Sequence, residues 1–226
     1  MKFLLPLLFV AMSLHVNAQP RKIDTFPVEI NSQCRNGVAQ HYDECSDQTA
    51  ILYSAIEKAN ATDKSVLIVF GAEWCIWCHV FDKHIQGTNK HFDYQWEQNG
   101  YAREWKMQEA TDTTTPKQAL ALNHYVASNF VVAYIEGHYA PKGGAAIASI
   151  GVNPDAVQTY PFFFVLDQQG QYAGHMRAYN AIEGLELRES AGKNYRGFDR
   201  KILLEQLANL REQAKQANAK MVSSDQ

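Results

Sequence analysis

The chain has 226 residues, is 46% apolar and 20% charged, and carries 21 basic against 24 acidic side chains, a net charge of −3. That balance excludes disorder, collagen-like repeats and low complexity, and it leaves no basic excess to attract nucleic acid. Length and apolar content suffice for one domain of about 200 residues, or two small ones, with a buried core.

Residues 1–18 read as a secretory signal peptide. Lys2 supplies the positive n-region, Phe3 to Leu14 the apolar run, and Val16 and Ala18 the small residues before the cut. The run is too short to span a bilayer, and Gln19, not a cysteine, follows it. Cleavage after Ala18 leaves an exported chain, periplasmic or secreted, with no membrane span. Disulfides persist in such a compartment.

Phe26 to Ile30 reads as a short strand. Ser46 or Asp47 caps a helix to about Asn60, with Ile51, Leu52, Ala55, Ile56 and Ala59 on one face. Val66 to Phe70 is a continuous β-branched and apolar run, the signature of a buried central strand. A helix follows from near Cys75 to Gly87, with Cys78, Phe81 and Ile85 at helical spacing. Residues 88–115 are polar but rich in aromatics. Thr115-Pro116 starts a helix to about Ser128, and Phe130 to Ile135 is a second buried strand. Pro141 to Ala146 is a loop or helix entry. Phe162 to Leu166 is a third apolar run, and Gln171 to Arg177 returns as its antiparallel partner after a turn. Residues 178–197 read as loop. Asp199 opens a last helix carrying Leu203, Leu207 and Leu210, and residues 213–226 form a flexible tail. Strands alternating with helices, then a hairpin and a terminal helix, define an α/β domain with a mixed sheet.

The chemistry concentrates at Cys75-Ile76-Trp77-Cys78, a C-x-x-C between a buried strand and a helix. A thiolate at a helix N-terminus is stabilised by unpaired N–H groups and the helix dipole. Cys75, first in the turn and exposed, is the natural nucleophile. Cys78, one turn on and on the buried side, is placed to attack a mixed disulfide on Cys75. Cys34 and Cys45 read as a structural disulfide tying an N-terminal arm, residues 19–46; the sharper reading is a second redox pair.

The segment Val66 to His79 resembles the active-site strand and helix of the thioredoxin superfamily, with Trp74 in the place of the family's tryptophan before the first cysteine. Val157 to Gly170 resembles its second signature, a cis-proline opening a strand and hairpin. The C-W-C-H and Tyr-Pro pairs are similar to exported thioredoxin-like proteins grouped with the DsbD C-terminal domain. The likeness covers roughly residues 47–87 and 116–210. It implies a thioredoxin-like domain over 47–212, a central mixed sheet flanked by helices, with a helical insertion at about 88–115 before the cis-proline strand. It also implies a cis Pro161 facing Cys75. Trp74, Trp77, Tyr160 and Pro161 would line the substrate groove, with Trp77 facing outward. Val69 stands where the family keeps a buried aspartate as proton acceptor for the second cysteine, so Glu73, His79 or water is expected to take that role. Lys83 replaces the family's kinking proline.

The expected activity is thiol–disulfide exchange with protein or peptide partners, fed by a membrane or soluble redox partner and needing no metal or organic cofactor. Ile76-Trp77 lacks the histidine found between the cysteines of strongly oxidising relatives, which points to a reductase or isomerase-like direction. Alternatives remain. Cys75-x-x-Cys78-His79 also fits c-type haem attachment, with Met107 or Met176 as the opposite ligand. Four cysteines could bind zinc, although Cys34 and Cys45 have the wrong spacing for a knuckle. A non-catalytic binding module of the same fold is a further reading.

Overall fold

The computed structural model describes residues 19–37, 39–87, 90–94, 105–109, 115–176, 185–190 and 193–224. The signal peptide expected at residues 1–18 lies outside the described residues.

The main sheet is built from β1 (Asp24–Phe26), β2 (Ser65–Gly71), β5 (Phe130–Glu136), β6 (Phe162–Leu166) and β7 (Tyr172–Met176). The spatial order is β1-β5-β2-β6-β7. β5 runs parallel to both β1 and β2, while β6 is antiparallel to β2 and β7. The helices are α1 (Gln48–Thr62), α2 (Ile76–Ile85), α3 (Thr115–Asn129), α4 (Gly143–Ser149) and α5 (Arg200–Ser224). β2 and β5 are buried along their whole length, as apolar runs covered on both faces must be. Strand alternation divides the core. Leu67, Val69, Val132, Tyr134, Phe163 and Val165 face the layer of α2, α3 and α5. Ile68, Phe70, Val131, Ala133, Ile135 and Phe164 face α1 and α4. This is the thioredoxin fold that the resemblance implied.

Helix starts follow capping chemistry. Asp47 Oδ1 accepts the N–H of Thr49 at 2.9 Å and of Ala50 at 3.4 Å. Asp199 Oδ1 accepts those of Lys201 and Ile202. Such caps satisfy donors that the helix itself cannot.

Among the described residues, the insertion is built of strands and not of the expected helix. Residues 88–115 contain β3 (Lys90–Tyr94) and β4 (Trp105–Glu109), and the expected loop at 178–197 contains β8 (Leu185–Ser190) and most of β9 (Lys193–Phe198). These strands form a second sheet in the order β4-β3-β9-β8. The reason is periodicity. Phe92 and Tyr94, Trp105 and Met107, and Leu185 and Leu187 recur at every second residue among polar neighbours, which is the strand period. The two segments also complete one another, since β3 pairs with β9 across the intervening domain.

Three further boundaries move. β1 ends at Phe26, earlier than expected, because Pro27 has no N–H to extend the ladder. The N-terminal arm therefore contributes an edge strand to the main sheet and is not separate from it. The tail expected at 213–226 is helical through Ser224. Its Ala, Gln and Lys residues are good helix formers, Ala214 is buried, and Asn218 Oδ1 accepts the Gln168 N–H at 3.0 Å.

Candidate active site

β2 stops at Gly71, and the chain turns through Ala72 to Trp74 before α2 begins. Cys75 is the N-cap of α2, in extended backbone, and its Sγ accepts the Cys78 N–H at 3.2 Å. Its carbonyl accepts the N–H of Cys78 at 3.1 Å and of His79 at 3.4 Å. The helix thus directs one of its orphan donors, the Cys78 N–H, at this sulfur, the arrangement that favours a thiolate. Cys75 and Cys78 are joined as a disulfide with Cα atoms 5.3 Å apart. Cys75 is 4% exposed and Cys78 0%. Cys75 is thus buried rather than exposed as expected, although it keeps a little surface where Cys78 keeps none.

The residues expected to line a groove lie at this end of the sheet. The Tyr160–Pro161 peptide is cis. Phe162 pairs with Phe70, so Pro161 sits at the same end of the sheet as Gly71 and the cysteines. Trp74 is half-buried; its Nε1–H donates to His138 Nδ1 at 3.0 Å, and its ring lies 5.9 Å from that of Tyr160. Trp77 does not face outward as expected. It is half-buried with its ring edge-on to Phe198 at 5.8 Å, so the end of β9 packs beside the active-site helix. Phe198 also donates its N–H to His84 Nε2 at 3.0 Å, which leaves Nδ1–H to donate to Val80 O.

Glu73 is held from the arm side. Its Oε1 accepts the Gln40 N–H at 2.9 Å, and its Oε2 accepts those of His41 at 3.1 Å and Tyr42 at 3.0 Å. Burial raises its pKa above the usual carboxylate range against the opposing pull of those three N–H groups. His79 is buried, with Nε2 2.6 Å from the Glu73 carbonyl oxygen and 3.4 Å from Oε1. A carbonyl only accepts, so Nε2 carries the proton. Both residues singled out as tuning groups therefore meet here, clamped to each other and to the arm.

Sequence reasoning missed the rest of this cluster. His41 Nε2 is 3.3 Å from Asp82 Oδ2, and Tyr134 Oη donates to Asp82 Oδ1 at 2.7 Å. The His41 ring lies 5.0 Å from His79. Burial pushes the His41 pKa down, and the Asp82 carboxylate opposes it. A cleft of about 500 Å³, lined by His41, Asp82, Lys83 and Tyr134, reaches this cluster. Asp82 carried a readable signal, since it lies four residues after Cys78 on the apolar face of α2. Tyr42 carried none. It is fully buried, edge-on to Tyr134 at 5.4 Å.

Cys34 and Cys45 form the expected disulfide, with Cα atoms 5.7 Å apart. It closes the segment that presents Gln40, His41 and Tyr42 to Glu73. Each cysteine pair is thus cross-linked within itself, which does not fit a shared four-cysteine zinc site. The haem alternative fits no better. Cys78 has no exposed surface for thioether attachment, and His79 is turned inward to Glu73.

Fold and site together define a thioredoxin-fold protein with a disulfide-bonded C-x-x-C at the tip of its active-site helix. Comparison with protein-family models and with curated proteins gives no match. Among solved structures, the chain is similar to a disulphide isomerase from Xylella fastidiosa Temecula1, with a TM-score of 0.38 and 18% identity over 60% of this chain and 77% of that one. No described helix is long and apolar enough to cross a membrane.

Proposed function

We propose that this chain is an exported thiol–disulfide oxidoreductase acting on protein or peptide thiols and disulfides. One observation carries the reading: Cys75 caps α2 with some surface open to solvent, while its disulfide partner Cys78 lies one turn behind it with none. In the reductive direction the Cys75 thiolate attacks a substrate disulfide. A Cys75–substrate disulfide forms and one substrate thiolate leaves. The Cys78 thiolate then attacks Cys75 Sγ, closing the Cys75–Cys78 disulfide and expelling the second substrate thiolate. Two electrons pass from the dithiol to the substrate, and a dithiol donor, membrane-bound or soluble, must restore them. The cis-proline turn with Tyr160, together with Trp74, supports a groove beside Cys75 for an extended substrate. Export rests on residues 1–18, and the Cys34–Cys45 disulfide agrees with an oxidising compartment. The uncharged Ile76-Trp77 pair supports a reductase or isomerase-like direction.

Insulin reduction with dithiothreitol as donor tests the reading. The wild type is expected to accelerate precipitation of the insulin B chain, and Cys75→Ser to abolish the effect. Equal activity in the two proteins would remove Cys75 as nucleophile. Equilibration with glutathione fixes the direction, and a potential near −120 mV, that of a strong oxidant, would overturn the reductive assignment.

A further inference from the structure

The resolving cysteine has a chemical problem that the attacking cysteine does not. Cys78 is 0% exposed, and burial disfavours the thiolate that it must become. Val69, on the same core face, offers it no polar group. The carboxylates of Glu73, Asp82 and Glu136 add further negative charge to the neighbourhood, since all three act on Tyr42. A hydrogen-bond donor near this sulfur would offset that cost.

Tyr42 supplies one. Its side chain is 0% exposed, and its hydroxyl has no hydrogen-bond partner among the described residues. A Cβ added to Gly71 would meet Cys78 Sγ at 2.5 Å and Tyr42 Oη at 2.7 Å. Sulfur and hydroxyl therefore crowd the same side of one glycine, and their separation is at most the sum of those two distances. In the oxidised protein the hydroxyl makes no hydrogen bond to this sulfur, and reduction releases Cys78 Sγ from Cys75 to approach it. A thiolate sulfur is a good acceptor.

On the reading of the site given above, we propose that Tyr42 is the positioning residue for the resolving step, its hydroxyl donating to Cys78 Sγ once the disulfide is reduced. The phenol keeps its own proton. Burial and the surrounding Glu73, Asp82, Glu136 and Tyr160 all disfavour its anion, so it acts as donor and not as base. The Cys78 proton passes to solvent, and the hydrogen bond stabilises the charge left behind. The arm holds the hydroxyl in place: Glu73 Oε2 accepts the Tyr42 N–H, and the Cys34–Cys45 disulfide closes the chain on either side.

Ellman's reagent separates the two sulfurs. Reduced protein releases one thionitrobenzoate when Cys75 attacks the reagent, and a second when Cys78 resolves the adduct. Stopped-flow absorbance is followed from pH 5 to 10 for wild type and Tyr42→Phe. In the variant the second phase is expected to slow about tenfold relative to the first at neutral pH. Its pH midpoint should rise by about one unit, the equivalent of that tenfold. A purely structural role would not move this midpoint. An unchanged ratio and midpoint in a normally reacting variant would overturn the assignment. A wild type with no first phase overturns the reading of the site, and this assignment with it. Should Tyr42→Phe fail to fold, the wild type decides alone. With tyrosine labelled at the ring carbon bearing the hydroxyl, the Tyr42 resonance should shift with the Cys78 titration, and a resonance unmoved by reduction and pH overturns the proposal.

Discussion

Gly71→Ala is the smallest change that tests the packing behind the cysteines. The new Cβ would stand 2.5 Å from Cys78 Sγ, 2.7 Å from Tyr42 Oη and 3.1 Å from Tyr42 Cζ. Ordinary carbon contacts begin near ~3.5 Å, so the sulfur or the phenol must retreat by about 1 Å. Neither is the free end of a flexible chain. Cys78 Sγ is bonded to Cys75, and the Tyr42 ring is fully buried against Tyr134. Overpacking of this kind costs about 1–3 kcal/mol. Gly71 has no left-handed backbone requirement, so alanine recovers about 0.4–1 kcal/mol of chain entropy. The net expectation for the oxidised protein is a loss of about 1–2 kcal/mol, roughly 2–8 °C in Tm for a domain of this size. Reduction frees Cys78 Sγ from Cys75 and relieves part of the clash. The oxidised form therefore suffers more, and the potential rises by ~20 mV for each ~1 kcal/mol relieved. Thermal unfolding of both redox forms, with glutathione equilibration, measures each quantity. An oxidised Gly71→Ala protein as stable as the wild type, at the same potential, would refute the close approach.

Two other predictions concern the arm. Glu73→Gln keeps one acceptor oxygen but turns an amide toward backbone donors, so at least one N–H among Gln40, His41 and Tyr42 loses its partner. The expected cost is about 1–3 kcal/mol, read as at least about fivefold faster hydrogen exchange at those amides; unaltered exchange would show that Glu73 does not hold the arm. His41 has a pKa lowered by burial, against the attraction of Asp82 and Glu73 and with the repulsion of His79 and Lys83. A depressed histidine contributes stability that is present above its unfolded value of about 6.5 and is lost as pH falls through the folded value. Urea midpoints of His41→Gln should therefore fall less between pH 7 and pH 5 than those of the wild type, and parallel curves would sink the assignment.

The main sheet was legible because its strands are locally unambiguous. Val66 to Phe70, Phe130 to Ile135 and Phe162 to Leu166 are apolar runs with turn or cap signals beside them, and each became a strand of the predicted kind. The second sheet was not read, although its residues alternate. Its strands are short and lie among charged residues, and β3 and β9 are paired from segments about a hundred residues apart, which no local window can join. Half of the site was legible on the same terms. Cys75, Cys78, Tyr160 and Pro161 sit in motifs, and Glu73 and His79 flank one of them. Tyr42 and His41 are in no motif. Their importance depends on the arm folding back across β2, a tertiary event fixed by backbone N–H groups that every sequence possesses.

That division has a chemical consequence. In the proposed mechanism the attacking sulfur is served by local structure, because a helix N-terminus presents its donors to whatever residue caps it. The resolving sulfur cannot be served that way. It lies inside the helix turn with its own backbone already committed, so its donor must come from elsewhere in the chain. Here the neighbour is a tyrosine from a segment 36 positions earlier, closed by a disulfide and pinned by the glutamate that precedes the motif. Reducing Cys34–Cys45 would then loosen the clamp on Tyr42 and slow resolution at Cys78 while the attack at Cys75 proceeds. On the proposed role of Tyr42, the two disulfides would be coupled through one buried hydroxyl, although no sulfur passes between them.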